Sequence, residues 1–146
     1  MRPARHRAVG RSGIACALAA LVVAACSHSP REQAKKRLAS LHSWAVSTQL
    51  VGERWMEGAV PTPYASKTLQ TFGRKVWNER RQTESGELPP DVKAFLVAGF
   101  DSTARATDSL LSVVDRNDKH AAADIVRRLS VQARAADSAR ERIGAQ

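Results

Sequence analysis

The chain has 146 residues, with 23 lysines and arginines against 14 acids for a formal charge of +9, 43% hydrophobic residues and two cysteines. That is one domain at most; the apolar content excludes a disordered basic tail, and two cysteines are too few for a disulfide scaffold. A basic excess on so small a protein points first to nucleic acid, and the location of the charge decides whether that inference stands.

Residues 1–13 carry Arg2, Arg5, Arg7 and Arg11 and no acid, and Ile14 to Ala25 is a 12-residue apolar run that ends at Cys26. A basic start, a short apolar stretch and small residues before a cut point are the layout of a secretory signal. A permanent span needs about 20 apolar residues, so this run is too short to stay in the bilayer. Val23-Ala24-Ala25-Cys26 resembles the bacterial lipobox. The resemblance covers the signal alone. It implies cleavage between Ala25 and Cys26, a diacylglycerol on the Cys26 thiol, and an acyl group such as palmitate on the new amino group. Each buried CH₂ contributes about 0.8 kcal/mol and one chain holds only marginally, so several chains make a firm anchor. Ser27 after the cysteine resembles the outer-membrane default of two-membrane bacteria, where Asp is the usual retention signal. The expectation is a lipoprotein held to the cell membrane or outer membrane on its periplasmic face.

Three segments follow: residues 1–25 as signal, 26–30 as lipidated cysteine and tether, and 31–146 as the folded domain. Loss of the signal removes four arginines and no acid, leaving 121 residues at +5. Cys16 leaves with the signal and Cys26 becomes a thioether, so neither disulfide nor Cys-ligated metal is expected. The lipid on Cys26 is the one prosthetic group implied. Export also takes the chain away from nucleic acid.

The remaining chain divides at its prolines and glycines into four pieces, each with apolar residues at a three-then-four spacing that returns to one helix face every turn. The first, Pro30 to Gly58, places Leu38, Leu41, Ala45, Thr48, Gly52 and Trp55 on a stripe flanked by Trp44 and Val51. The second begins with Thr62 as N-cap and Pro63 at the first helical position, aligns Ala65, Leu69, Phe72 and Val76, and ends near Ser85-Gly86. The third follows Leu88-Pro89-Pro90 and aligns Val92, Leu96, Gly99, Thr103, Ala106, Leu110 and Val113. The fourth starts after Asp115-Arg116-Asn117-Asp118 with Asp118 as N-cap, aligns Ala122, Ile125, Leu129, Gln132, Ala136, Ala139 and Ile143, and stops at Gly144. Four amphipathic helices on short connections predict an all-α, antiparallel up-down four-helix bundle, with a three-helix arrangement and one frayed segment as the alternative.

Lys67, Arg74 and Arg81 recur every seven residues on the second helix, as Asp101, Asp108 and Asp115 do on the third. The registers above put both sets, with Arg127 and Arg134, farthest from the core. They form a solvated face, supported by pairs such as Asp101 with Arg105 and Asp124 with Arg128, or a basic surface for an anionic polymer or protein partner. Arg31, Lys35, Lys36 and Arg37 come directly after the tether, whose four residues reach about 13 Å at most. Beside an anionic leaflet each base adds about 1 kcal/mol of attraction, which makes them candidates for headgroup contact as well as a solvated helix start.

Trp55 lies on the first core stripe and Trp44 beside it, where a tryptophan serves packing. Trp77 follows Val76 and points sideways; with Leu50 and Leu111, also off their stripes, it is a candidate lateral patch for a partner or a homodimer. Catalytic signals are poor: no Glu-x-x-His, Cys-x-x-Cys-His or His-Glu-x-x-His occurs. An up-down bundle does bring Met56 and His120 to one end, where a Met/His pair could ligate haem without a covalent link. The leading expectation is a non-enzymatic, lipid-anchored bundle that binds a protein or an anionic envelope component. The alternative is a bundle that binds a cofactor or small ligand in its interior.

Overall fold

A computed structural model describes residues 29–145. The cleavage site at Ala25 and the lipidation site at Cys26 lie outside these residues. The described chain is four helices: α1 Pro30–Met56, α2 Thr62–Ser85, α3 Pro90–Asp115 and α4 Lys119–Ala145. At 1.5 Å per residue the longest of them span about 40 Å.

Each helix starts and stops for local reasons. Ser29 caps α1 by accepting a hydrogen bond from the Glu32 amide at 3.3 Å, with Pro30 in the first turn where its missing N–H is harmless. Gly58, at φ 77°, ends α1 by turning back so that its amide reaches the Trp55 carbonyl and the Ala59 amide reaches that of Arg54. Asp118 caps α4 as expected, its carboxylate accepting from the Ala121 amide at 3.0 Å, and Asn117 supplies the left-handed turn before it at φ 56°. Two termini differ from expectation. Thr62 is the first residue of α2 and not its cap; its hydroxyl accepts from the Trp55 indole at 3.0 Å. Gly144 does not stop α4, which continues through it to Ala145.

The helices run up and down. The Lys119 ammonium donates to the Met56 carbonyl at one end of the bundle, and the Arg31 guanidinium donates to the Ile143 carbonyl at the other. α1 pairs closely with α4 and α2 with α3, while α1 also touches α3 across the diagonal; α2 and α4 do not meet. Closing one diagonal of a four-helix arrangement necessarily opens the other.

The α1 stripe is buried in full, from Leu38 to Trp55. The other registers are corrected in part. On α3, Leu96, Thr103 and Leu110 are buried as expected, but the positions between them are Phe100, Thr107 and Val114 in place of Gly99 and Ala106, and Val113 is buried as well. On α2, Gly73 replaces Phe72 in the interior; Phe72 moves to the edge and packs its ring against Trp44, centroids 5.3 Å apart. On α4, Ala133 replaces Gln132.

The core has two apolar ends and a waist. Trp55, Leu69, Leu110, Val114, Ile125 and Leu129 fill the end near the α1–α2 turn; Leu38, Leu41, Val76, Leu96 and Phe100 fill the other. Between them lie small and hydroxylated residues, Ala45, Thr48, Gly52, Thr103 and Thr107. Thr107 donates to the Thr103 carbonyl at 2.8 Å and stands 3.4 Å from the Thr48 hydroxyl, so the buried polar atoms here find partners. No helix among the described residues is long and apolar enough to cross a membrane.

Candidate functional site

The two loose helix interfaces differ in how they are filled. Between α1 and α2 the gap is closed by the Trp44 and Phe72 rings and by Arg37, whose guanidinium meets the Glu79 carboxylate at 2.5 Å. Between α3 and α4 the facing residues are small: Ala98, Ser102 and Ser109 on α3 and Ala135 on α4. That interface stays open as a groove of about 970 Å³, deep enough for buried Leu41 of α1 to form part of its floor.

The groove differs along its length. The Gln132 side-chain amide donates to the Gly99 carbonyl and sets α3 against α4. Counting from that bond in opposite directions along the antiparallel pair, Phe95 lies level with Ala136, beside Ala135, and Arg105 lies level with Val126, beside Arg127. One end is therefore walled by Phe95, which is 40% exposed, while Val131, 55% exposed, lies midway, next to the Gln132 bond. The other end carries Arg105, Arg127 and Arg128. Arg105 holds Asp101 at 2.8 Å and Arg127 holds Asp124, yet both arginine side chains remain more than 70% exposed. Arg128 has no ion-pair partner among the described residues. Exposed pairs of this kind are worth little in water, so their guanidinium groups stay available to an incoming anion.

The residues marked out by sequence fall elsewhere. Lys67, Arg74 and Arg81 are exposed on α2, as expected. Of the α3 aspartates, Asp108 and Asp115 are exposed as expected and Asp101 is partly buried, and each bonds toward α2: Asp115 accepts from Ser66 at 2.6 Å, Asp108 from the Trp77 indole at 3.3 Å, and Asp101 lies 3.5 Å from Arg80. Asp101 also pairs with Arg105 as anticipated, whereas Asp124 pairs with Arg127 in place of Arg128. Trp77 and Leu111 are half-buried against different core clusters, and Leu50, 49% exposed, belongs to neither.

Of the basic cluster at the start of α1, Arg31 is engaged with the Ile143 carbonyl, Lys35 with Glu32 at 3.2 Å and Arg37 with Glu79, while Lys36 is exposed. Met56 and His120 do share one end. Met56 packs on the core with its carbonyl held by Lys119, and His120 is exposed on the first turn of α4. No group of three or more His, Cys, Asp or Glu residues among those described is placed to hold a metal.

The groove was not anticipated from sequence because its floor consists of residues that carry no chemical signature. The available signal was a second face on α3, Ala98, Ser102 and Ser109, small at every turn and flanked by Arg105. No protein-family model matches the chain, and no curated protein or solved structure matches it either.

Proposed function

We propose that this protein is a lipid-anchored envelope lipoprotein without catalytic activity, which binds an anionic envelope component in the groove between α3 and α4. The single observation that carries the binding half is the composition of that groove: a floor of small and apolar side chains with Arg105, Arg127 and Arg128 at one end. Burial of apolar surface supplies affinity without direction, and guanidinium groups supply selection for an anion. The lipobox-like residues Val23 to Cys26 support the anchor. The up-down fold fits with it, because α1 starts at the same end as the turn between α2 and α3 and the end of α4, so a tether at Ser29 places that end of the bundle next to the lipid.

Two variants of the full chain test the reading in a bacterial host. Wild type should label with an alkyne-tagged palmitate and fractionate with membranes, while Cys26→Ala should lose both. A second variant, Arg105→Glu with Arg128→Glu, should keep the label and the membrane location but lose the anionic envelope material that copurifies with wild type. Palmitate label on Cys26→Ala would overturn the anchor, and unchanged copurification with the double variant would overturn the groove.

A further inference from the structure

We infer that the α3–α4 groove holds a single-chain anionic amphiphile, a fatty-acid carboxylate or an acyl phosphate ester, with its head among Arg105, Arg127 and Arg128 and its chain directed toward Phe95. This deepens the binding function proposed above and rests on that groove being the site. The argument is the direction of its polarity. A docked amphipathic helix carries its polarity across its axis, so it calls for an apolar strip along the whole groove with charge on the rims at every level. Here the polarity runs along the axis. The basic residues lie within two residues of one level, Val131 lies midway, and the other end offers Phe95, Ala98 and Ala135. Ten residues separate Phe95 from Arg105 on α3, about 15 Å at 1.5 Å per residue, a length suited to a medium acyl chain.

The small floor residues are the second element. Ala98, Gly99 and Ala135 leave a channel in which a thin chain meets side chains on both walls, with Leu41 below it. Asp101 also lines the groove, but Arg80 and Arg105 both lie against it, so it does not oppose the incoming head as an unpaired charge. A planar carboxylate and a tetrahedral phosphate both offer anionic oxygens that accept from guanidinium donors, and the groove alone does not choose between them.

The test uses the chain from Ser27 to Gln146 in detergent-free buffer; among the described residues every core side chain lies between Ala34 and Ile143, so this chain carries all four helices. Laurate and lauryl phosphate, each kept below its micelle concentration, are titrated by calorimetry beside dodecyl maltoside, acetate and inorganic phosphate. At least one of the two anionic amphiphiles should bind saturably at one per chain, and the other three should bind at least tenfold more weakly. Arg105→Glu with Arg128→Glu should weaken that binding at least tenfold while the far-ultraviolet circular dichroism at the titration temperature stays that of the folded wild type, and Ala98→Phe, which fills the channel, should weaken it similarly. Equal binding of dodecyl maltoside, or no saturable binding of either anionic amphiphile, overturns the inference. So does saturation of the same groove by a synthetic acidic amphipathic peptide that the amphiphiles fail to displace. If no amphiphile binds but the double variant still loses its envelope material in cells, this inference falls and the broader binding function stands.

Discussion

Gly99 and Leu41 meet where α1 and α3 touch across the bundle diagonal: a Cβ on Gly99 would stand 2.5 Å from the Leu41 Cδ2. The same contact is made lower down by Gly52, whose Cβ would stand 2.7 Å from Val126 Cγ2 and 3.0 Å from Leu110 Cδ2. The two sites differ in what can yield. Leu41 borders the open groove and can swing its methyls into it, whereas Val126 is stiff at χ1 and Leu110 is enclosed. Replacing either glycine by alanine gains roughly 0.5–1 kcal/mol of helix preference. Overpacking a closed core costs about 1–3 kcal/mol. Gly99→Ala should therefore be close to neutral, and Gly52→Ala should lower stability by about 1–2 kcal/mol after that gain is subtracted. Urea unfolding of both variants decides it; equal losses would mean that the groove gives Leu41 no room.

Trp77 distinguishes a docking residue from a packing one. It is half-buried against the cluster of Leu38, Val76 and Phe100, and its indole N–H donates to Asp108. Trp77→Ala should cost about 2 kcal/mol, below the 3–5 kcal/mol of a fully buried aromatic. Leu50→Ala, on an exposed side chain outside both clusters, should stay within about 0.5 kcal/mol. Thermal and urea unfolding check both; a Trp77→Ala variant as stable as wild type would return Trp77 to the surface patch expected from its position beside Val76.

Helix count, boundaries and the α1 stripe were legible because each depends on local chemistry: prolines, glycines, caps and one apolar face. Part of the register on α2, α3 and α4 was not. On α3 the sets Gly99, Ala106, Val113 and Phe100, Thr107, Val114 both complete a heptad with Leu96, Thr103 and Leu110, and periodicity cannot choose between neighbouring faces. The choice is tertiary: α3 touches α1 through Gly99, which pulls that face to the edge of the diagonal contact and turns Phe100 inward. The groove shares this cause. Its residues are ordinary one by one, and only the mismatch between small side chains and a wide interface makes them a site. Asp101 departed from the solvated face for the same reason, since a residue opposite a core stripe on an isolated helix can still lie against a neighbour, here Arg80 of α2.

The Asp101 cluster carries a salt-dependent prediction. Asp101 lies 2.8 Å from Arg105 and 3.5 Å from Arg80, whose Nε is buried and makes no hydrogen bond; both Asp101 and Arg80 side chains are about three-quarters buried. Arg80 keeps a second partner in Glu84 at 2.8 Å. Asp101→Asn preserves the shape and removes the charge, so Arg80 loses its less exposed counter-ion. A cost of about 1 kcal/mol at low salt is expected, the upper end for pairs at this exposure. Screening at 1 M salt, where the Debye length is about 3 Å, should reduce the difference from wild type by half or more. Urea midpoints at the two ionic strengths measure this; a loss that does not change with salt would mean that Asn fails by shape or hydrogen bonding and not by charge.

Arg31 tests whether the basic cluster beside the tether is structural or free to meet headgroups. Its Nε and Nη2 reach the Ile143 carbonyl at 2.9 and 2.6 Å, one of the last α4 carbonyls that have no partner within their own helix. A cation at a helix C-terminus is also favoured by the helix dipole. Arg31 therefore joins the first turn of α1 to the last of α4, a place where helices ordinarily fray. Arg31→Ala should speed amide exchange in the last turn of α4 while leaving the core amides of residues 122–136 unchanged, and should move the thermal midpoint by less than about 3 °C, since the bond is exposed and worth under about 1 kcal/mol. Lys36→Ala, which removes a charge without an intramolecular bond, should leave exchange as in wild type. If the two variants exchange alike, the Arg31 contact does not hold the helix end, and Arg31 is as available to a membrane surface as Lys36.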